Sequence, residues 1–253
     1  MLFNRPTVLS LAGFDPSGGA GIIADVKVFE QTHVYGLGVC TAITYQNDDE
    51  FKGVKWLSLD IILPQIKILF KKFEINFVKI GLIENLDILD KLLKKLFFFN
   101  PKIKIIWDPV MQSSTGFEFH KNIDKKKLKR ILKKLFIVTP NTEEIKIFGE
   151  NNDIIKTSSF ISNYCKVYLK GGHSKKTLIE DILFENGHIV EKFLSKRIKN
   201  GKKHGSGCVL SAALVSNLAK GQSVSNACKN SKIYIQKFLK SNNSLLGYHA
   251  KTI

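Results

Sequence analysis

Lys104-Ile105-Ile106-Trp107-Asp108-Pro109-Val110 is an apolar run of strand length that stops on a carboxylate and a proline. The basic segment Lys125 to Leu135 follows, in which Leu128, Ile131, Leu132 and Leu135 recur at helical spacing. A second short run, Phe136-Ile137-Val138-Thr139-Pro140-Asn141, comes next. Strand, helix, strand is the unit from which parallel sheets are wound, because a right-handed crossover brings the chain back to start a strand in the same direction.

The same alternation extends both ways. Upstream, Val78 to Ile83 reads as a strand and Leu86 to Phe98 as an amphipathic helix. Ile61 to Phe73 reads as a helix with Pro64 in its first turn, Phe51 to Ser58 as an edge strand, and Tyr35 to Gln46 as a second strand. The first strand is Thr7 to Gly13, followed by the glycine loop Phe14-Asp15-Pro16-Ser17-Gly18-Gly19-Ala20-Gly21 and a helix from about Ala20 to Glu30. Downstream, a helix runs through Glu144 and Phe148, and Lys166 to Leu169 is a strand that ends in Lys170-Gly171-Gly172-His173. Thr177 to Phe184 and His188 to Phe193 form a hairpin on the Asn186-Gly187 signal. Another glycine loop, His204-Gly205-Ser206-Gly207-Cys208, opens a helix that Gly221 stops, with Leu210, Ala213, Leu214, Asn217 and Leu218 as its apolar stripe. A last helix spans about Ser223 to Leu239, and the tail from Ser241 is irregular. The expected class is α/β with a mostly parallel sheet, in one domain over residues 1–253.

Composition narrows the function. With 44% apolar residues, the chain can bury a large core. It lacks a bilayer-length apolar run and a signal-peptide pattern, so a cytoplasmic place is expected and no membrane partner. Cys40, Cys165, Cys208 and Cys228 are scattered, which points to neither zinc nor disulfides. The net charge of +17 could signal nucleic acid, but the lysines fall on helix faces opposite buried stripes, as solvated faces do.

The polar residues that interrupt this pattern sit where open α/β sheets bind ligands, at strand ends and helix starts. Gly205 and Gly207 let amides converge at a helix N-terminus, which attracts anions. Cys208 lies in that field, where its ionised form is favoured, so it could accept a proton from an alcohol or simply hydrogen-bond to one. Gln46 offers a donor and an acceptor in one plane, suited to a heterocycle edge or to solvent. Asp108 and Asn141 end strands, as site residues or as ordinary caps. Glu144 could hold magnesium through water, and Lys170 could touch a phosphate as a point charge. His173 is expected to order its loop.

Six segments, in order, carry a resemblance: Ala12 to Asp25, Thr41 to Asn47, Asp108 to Met111, Thr139 to Glu144, Lys170 to His173 and His204 to Cys208. Together they resemble the motifs of the hydroxymethylpyrimidine/phosphomethylpyrimidine kinases of thiamine biosynthesis, in the ribokinase-like superfamily. The resemblance implies a three-layer α/β/α fold, a homodimer, ATP and Mg2+ as cofactors, and two successive phosphorylations of a small pyrimidine alcohol. It implies Gln46, Ala20, Asp25, Leu82 and Val110 for the pyrimidine, with Leu82 where the family often has methionine. It implies Cys208 with the amides of Gly205, Ser206 and Gly207, and Lys170, for transfer. Asn141, Lys170 and Gly207 would serve the nucleotide, and Asp108 and Glu144 the magnesium. Alternatives are a pyridoxal or other vitamin kinase on the same fold, or a basic nucleic-acid-binding protein. The chain departs from the pattern in Ser206, in Val209, in the longer and more basic Lys199 to Lys203, and in a tail without the family's glycine- and proline-rich ending.

Overall fold

The computed structural model describes residues 5–112, 116, 117, 119, 123–149, 153–172, 177–199 and 201–249. Its strands are β1 (Thr7–Phe14), β2 (Tyr35–Gln46), β3 (Phe51–Trp56), β4 (Phe77–Ile80), β5 (Lys104–Trp107), β6 (Ile137–Val138), β7 (Lys166–Leu169), β8 (Leu178–Glu185) and β9 (His188–Lys196). They form one sheet in the order β3-β2-β1-β4-β5-β6-β7-β8-β9. From β2 to β7 every pair is parallel, while β3 at one edge and β8 and β9 at the other are antiparallel. Strand order reverses between β1 and β4, so a crevice opens beyond their carboxyl ends, the usual ligand position in such sheets.

The helices are α1 (Gly21–Gln31), α2 (Leu59–Lys72), α3 (Leu86–Phe99), α4 (Lys125–Leu132), α5 (Thr142–Phe148), α6 (Ile154–Ser162), α7 (Ser206–Ala219) and α8 (Val224–Leu239). They cover both faces, because consecutive strand residues point to opposite sides. Leu9, Leu11, Ile105 and Trp107 join a core with Ile66 of α2, Leu93 of α3 and Ile131 of α4. Val8 and Ile106 join another with Phe29 of α1, Leu214 of α7 and Ile235 of α8. The result is the expected three-layer α/β/α architecture.

Several elements differ from the sequence reading. α2 begins at Leu59, which moves Pro64 out of the first turn into the helix; the carbonyl it leaves without an amide partner belongs to exposed Asp60. β4 and β5 end at Ile80 and Trp107; the Gly81 and Asp108 amides still donate to Leu11 and Ile80, each at 2.8 Å, and the chain leaves the sheet's carboxyl edge after them. α6 is an element that the apolar pattern did not single out. α7 has no single stripe: every residue from Val209 to Leu218 is buried, since α7 packs among the sheet, α1 and α8. The hairpin turn carries φ of 51° at Asn186 and 81° at Gly187, as its dipeptide foretold. Among the described residues no helix is long and apolar enough to cross a membrane.

Candidate active site

Two glycine loops meet at the crevice. Gly205 caps α7 with φ of 68°, and a Cβ there would stand 2.0 Å from the Gly19 carbonyl oxygen, so only glycine lets the loops touch. The first intrahelical bond of α7 runs from Val209 N–H to Gly205 C=O at 3.0 Å, which leaves the preceding amides aimed along the axis toward the cavity. The other loop is built around Asp15, whose carboxylate accepts from the amides of Ser17 (2.9 Å), Gly19 (3.1 Å) and Ala20 (2.8 Å). His204 Nε2 lies 2.9 Å from the same carboxylate and ties the loops together. Burial pushes the Asp15 carboxyl up, but the hydrogen bonds from His204, Ser17 and the loop amides outweigh it and hold it below its ordinary value.

Facing these loops is a charged network on the strand ends. Asp108 accepts from Lys170 Nζ at 2.7 Å and from the hydroxyls of Thr139 and Ser211, each at 2.9 Å. Glu144 stands 3.8 Å from Lys170 Nζ. It also closes a capping box: Asn141 accepts from the Glu143 and Glu144 amides, and Glu144 accepts from the Asn141 amide at 2.7 Å. Burial would raise the Asp108 carboxyl, yet Lys170 and then Lys79 hold it low. Burial, with repulsion from Asp108, lifts Glu144 to about 7 against the pull of Lys170. Lys170 stays charged because Asp108 and Glu144 outweigh its burial.

One cavity of about 580 Å3 joins the two sides. Gln46, Ala20, Leu82 and Val110 line one part of it, and Gln46 is anchored by donating to Thr44 Oγ1 at 2.8 Å. Asp108, Asn141, Glu144 and Lys170 line the next part, and Gly205, Ser206, Gly207 and Cys208 complete it. The expected site residues are thus brought together with one exception. Asp25 has no exposed surface; it is sealed against Lys79 Nζ (2.5 Å) and Ser10 Oγ (2.6 Å), beneath the cavity rather than on its lining.

The thiol also departs from expectation. Cys208 is pushed up to about 11, chiefly by burial and further by Asp25 and Asp108, against Lys79 and an amide hydrogen bond from Gly21. Desolvation and the two carboxylates outweigh Lys79 and the Gly21 amide, which favours the neutral thiol. His173 lies outside the described residues. The sequence reading assigned no role to Asp15, His204 or Lys79, nor to the buried Asp181–Lys232 pair (2.7 Å) that also lines the cavity. An aspartate inside a glycine loop and a lysine inside an apolar strand were the available signals.

Among the described residues no group of three or more metal-ligating side chains occurs. Asp108 and Glu144 offer oxygen donors on either side of Lys170, which fits a magnesium ion carried mainly by a nucleotide's phosphates rather than a dedicated protein cage.

The sequence model of phosphomethylpyrimidine kinase matches residues 15–252. The chain belongs to the phosphomethylpyrimidine kinase family. A hydroxymethylpyrimidine/phosphomethylpyrimidine kinase of Aquifex aeolicus is 32% identical over 248 residues, covering 94% of this chain and 95% of the relative. The crystal structure of phosphomethylpyrimidine kinase from Clostridium difficile 630 aligns with a TM-score of 0.75 at 34% identity, covering 92% of this chain and 99% of that one. An ADP complex of Bacillus subtilis pyridoxal kinase aligns with a TM-score of 0.79 at 26% identity, covering 93% and 92%. As a phosphomethylpyrimidine kinase family member with this ribokinase-like fold, the chain is a phosphotransferase.

Proposed function

We propose that this kinase transfers a phosphoryl group from ATP to the hydroxymethyl oxygen of 4-amino-5-hydroxymethyl-2-methylpyrimidine, and then a second to the monophosphate, for thiamine diphosphate synthesis. The observation that carries this reading is one cavity holding both a planar donor–acceptor side chain, Gln46, and an amide-rich helix start, Gly205 to Cys208. The Gln46 amide reads the ring edge, and Ala20, Leu82 and Val110 supply apolar walls. Charge on the transferring oxygens is met by the amides of Gly205, Ser206, Gly207 and Cys208 and by Lys170 Nζ. Asp108 keeps Lys170 charged and in place, while Asn141 and Glu144 border the nucleotide. Magnesium, held through Asp108, Glu144 and the phosphates, would neutralise phosphate charge. Cys208 Sγ, as a neutral thiol, orients the alcohol by a hydrogen bond; the preorganised donors carry the larger share of the stabilisation.

Further features belong to this reading. The continuous sheet supports one kinase domain over 1–253. Phe14, Ile43 and Tyr45 lie exposed at the end of β1 and on β2, a surface suited to a second copy in a homodimer. Four free cysteines accord with the cytoplasm. The lysines of α4 form a solvated face opposite buried Leu128, Ile131 and Leu132, so no nucleic acid is assigned. The test is incubation with Mg-ATP and the pyrimidine alcohol, with pyridoxal in parallel, resolving products by mass. Monophosphate followed by diphosphate is expected; turnover of pyridoxal alone would overturn the assignment.

A further inference from the structure

Two stretches distant in sequence, the basic segment ending at Lys203 and the tail after Ser241, meet in space. Lys203 is buried, with 4% of its surface exposed. Its ammonium donates to the Asn242 carbonyl oxygen (2.6 Å), to the Asn242 side-chain oxygen (2.8 Å) and to the Ser244 carbonyl. Those bonds use all three of its donors, and among the described residues no carboxylate pairs with it. A cation caged by neutral oxygens from one short segment is the arrangement an alkali or ammonium ion adopts, here supplied by a side chain.

The cage is fastened to the anion-binding loop at several points. The next residue, His204, donates its amide to the Leu245 carbonyl at 2.9 Å and its ring meets Asp15 at 2.9 Å. Leu246 fills the space over Gly19, where a Cβ would come within 2.7 Å of its Cδ2. The tail holds its own curl: Asn242 Nδ2 donates to the Leu246 carbonyl at 2.9 Å, and Ser241 Oγ accepts from the Tyr248 amide at 2.8 Å. Gly205 follows immediately, so the ammonium, the tail and both glycine loops form one clamp behind the amides of Gly205 to Cys208.

We propose that Lys203 is a built-in cation that locks the C-terminal segment 241–249 onto the anion-binding loop, and so is a positioning residue for phosphoryl transfer. Lys203 stands at the border of the cavity, but its ammonium is spent on the tail, so it acts by fixing the loop whose amides meet the phosphate. Because transfer depends on sub-ångström placement of those donors, loosening the clamp lowers turnover more than substrate binding.

This inference rests on the phosphoryl-transfer reading, and the experiment separates the two. Lys203→Ala opens a cage of oxygens without its cation. The expected result is a fall in kcat of about tenfold or more with the KM for the pyrimidine within about twofold. Added ammonium or potassium chloride restores kcat, and tetramethylammonium chloride at equal ionic strength does not. Hydrogen exchange of the Gly205 to Cys208 amides, which needs no turnover, quickens in Lys203→Ala and slows again with ammonium. Unchanged kcat and exchange, or losses that no small cation reverses, would overturn the clamp. A wild-type protein without activity but with the exchange response would overturn the functional reading and leave the clamp standing.

Discussion

Lys79 and Lys170 each meet an aspartate within hydrogen-bond distance, but the two pairs face different surroundings. The side chains of Lys79 and Asp25 are both 0% exposed, and the second Asp25 oxygen is taken by Ser10. Lys170 keeps 10% of its side chain open to the cavity and is shared between Asp108 at 2.7 Å and Glu144 at 3.8 Å. A Cβ on Gly207 would lie 3.5 Å from Lys170 Nζ, so an anion arriving at the start of α7 also reaches this lysine. The closed pair is sealed from the cavity and holds the sheet to α1; the open pair keeps a surface that a ligand can reach. Burial of a charge therefore marks function only where the charge is left with work outside its own pair.

The largest effect that tests this contrast is on folding. Lys79→Met strands the Asp25 carboxylate in a sealed site, and is expected to cost about 3–5 kcal/mol of stability in a denaturant titration. Adding Asp25→Leu should recover most of that loss; a single variant no weaker than a surface substitution would erase the distinction. Lys170→Met comes next, with turnover lowered about 10²–10³-fold. Its thermal shift should be smaller than that of Lys79→Met, because Thr139 and Ser211 still bond Asp108.

Cys208 lies under the influence of both pairs: burial, Asp25 and Asp108 push its thiol up, and Lys79 pulls it down. As a neutral hydrogen-bonding thiol, its replacement in Cys208→Ala should slow the first transfer about tenfold. The second transfer should suffer less, since its nucleophile is an already ionised phosphate; equal losses would point to a structural role. Alkylation of Cys208 by iodoacetamide should keep accelerating toward pH 11. A plateau near neutrality would mean that the helix field prevails after all.

A pH-dependent effect concerns Glu144, raised from 4.5 to about 7 in the folded protein. Between those values the folded chain binds more protons than the unfolded chain, so stability falls as pH rises through that window. The slope from one group is at most about 1.4 kcal/mol per pH unit. Glu144→Gln should flatten the curve measured by denaturant melts across that range.

Much of the fold was legible because parallel strands read as short apolar runs and their helices as periodic ones. Ile105, Ile106 and Trp107 declared β5, and Asn186-Gly187 declared its hairpin, through local chemistry alone. α6 escaped because Thr157, Ser158, Ser159 and Ser162 dilute its apolar period. In the site, Gln46, Lys170 and Gly205 to Cys208 could be found at strand ends and a helix start. The assignment of Asp25 to the lining failed because nothing local tells that Lys79, 54 residues away, will neutralise it underneath the cavity. The bond between His204 and Asp15, 189 residues apart, was equally invisible before the chain closed. The burial that pushes the Cys208 thiol up was not legible either, since a helix end is a local feature and desolvation is not.

The position of α7 bears on how the molecule is made. Val8 of β1 and Ala24, Val28 and Phe29 of α1 are covered by Val209 to Leu218. On the ribosome those early residues emerge long before their cover, a delay on the order of ten seconds or more at ordinary synthesis rates. The nascent chain thus carries a greasy N-terminal face through most of translation, one that its own fold cannot cover until α7 arrives.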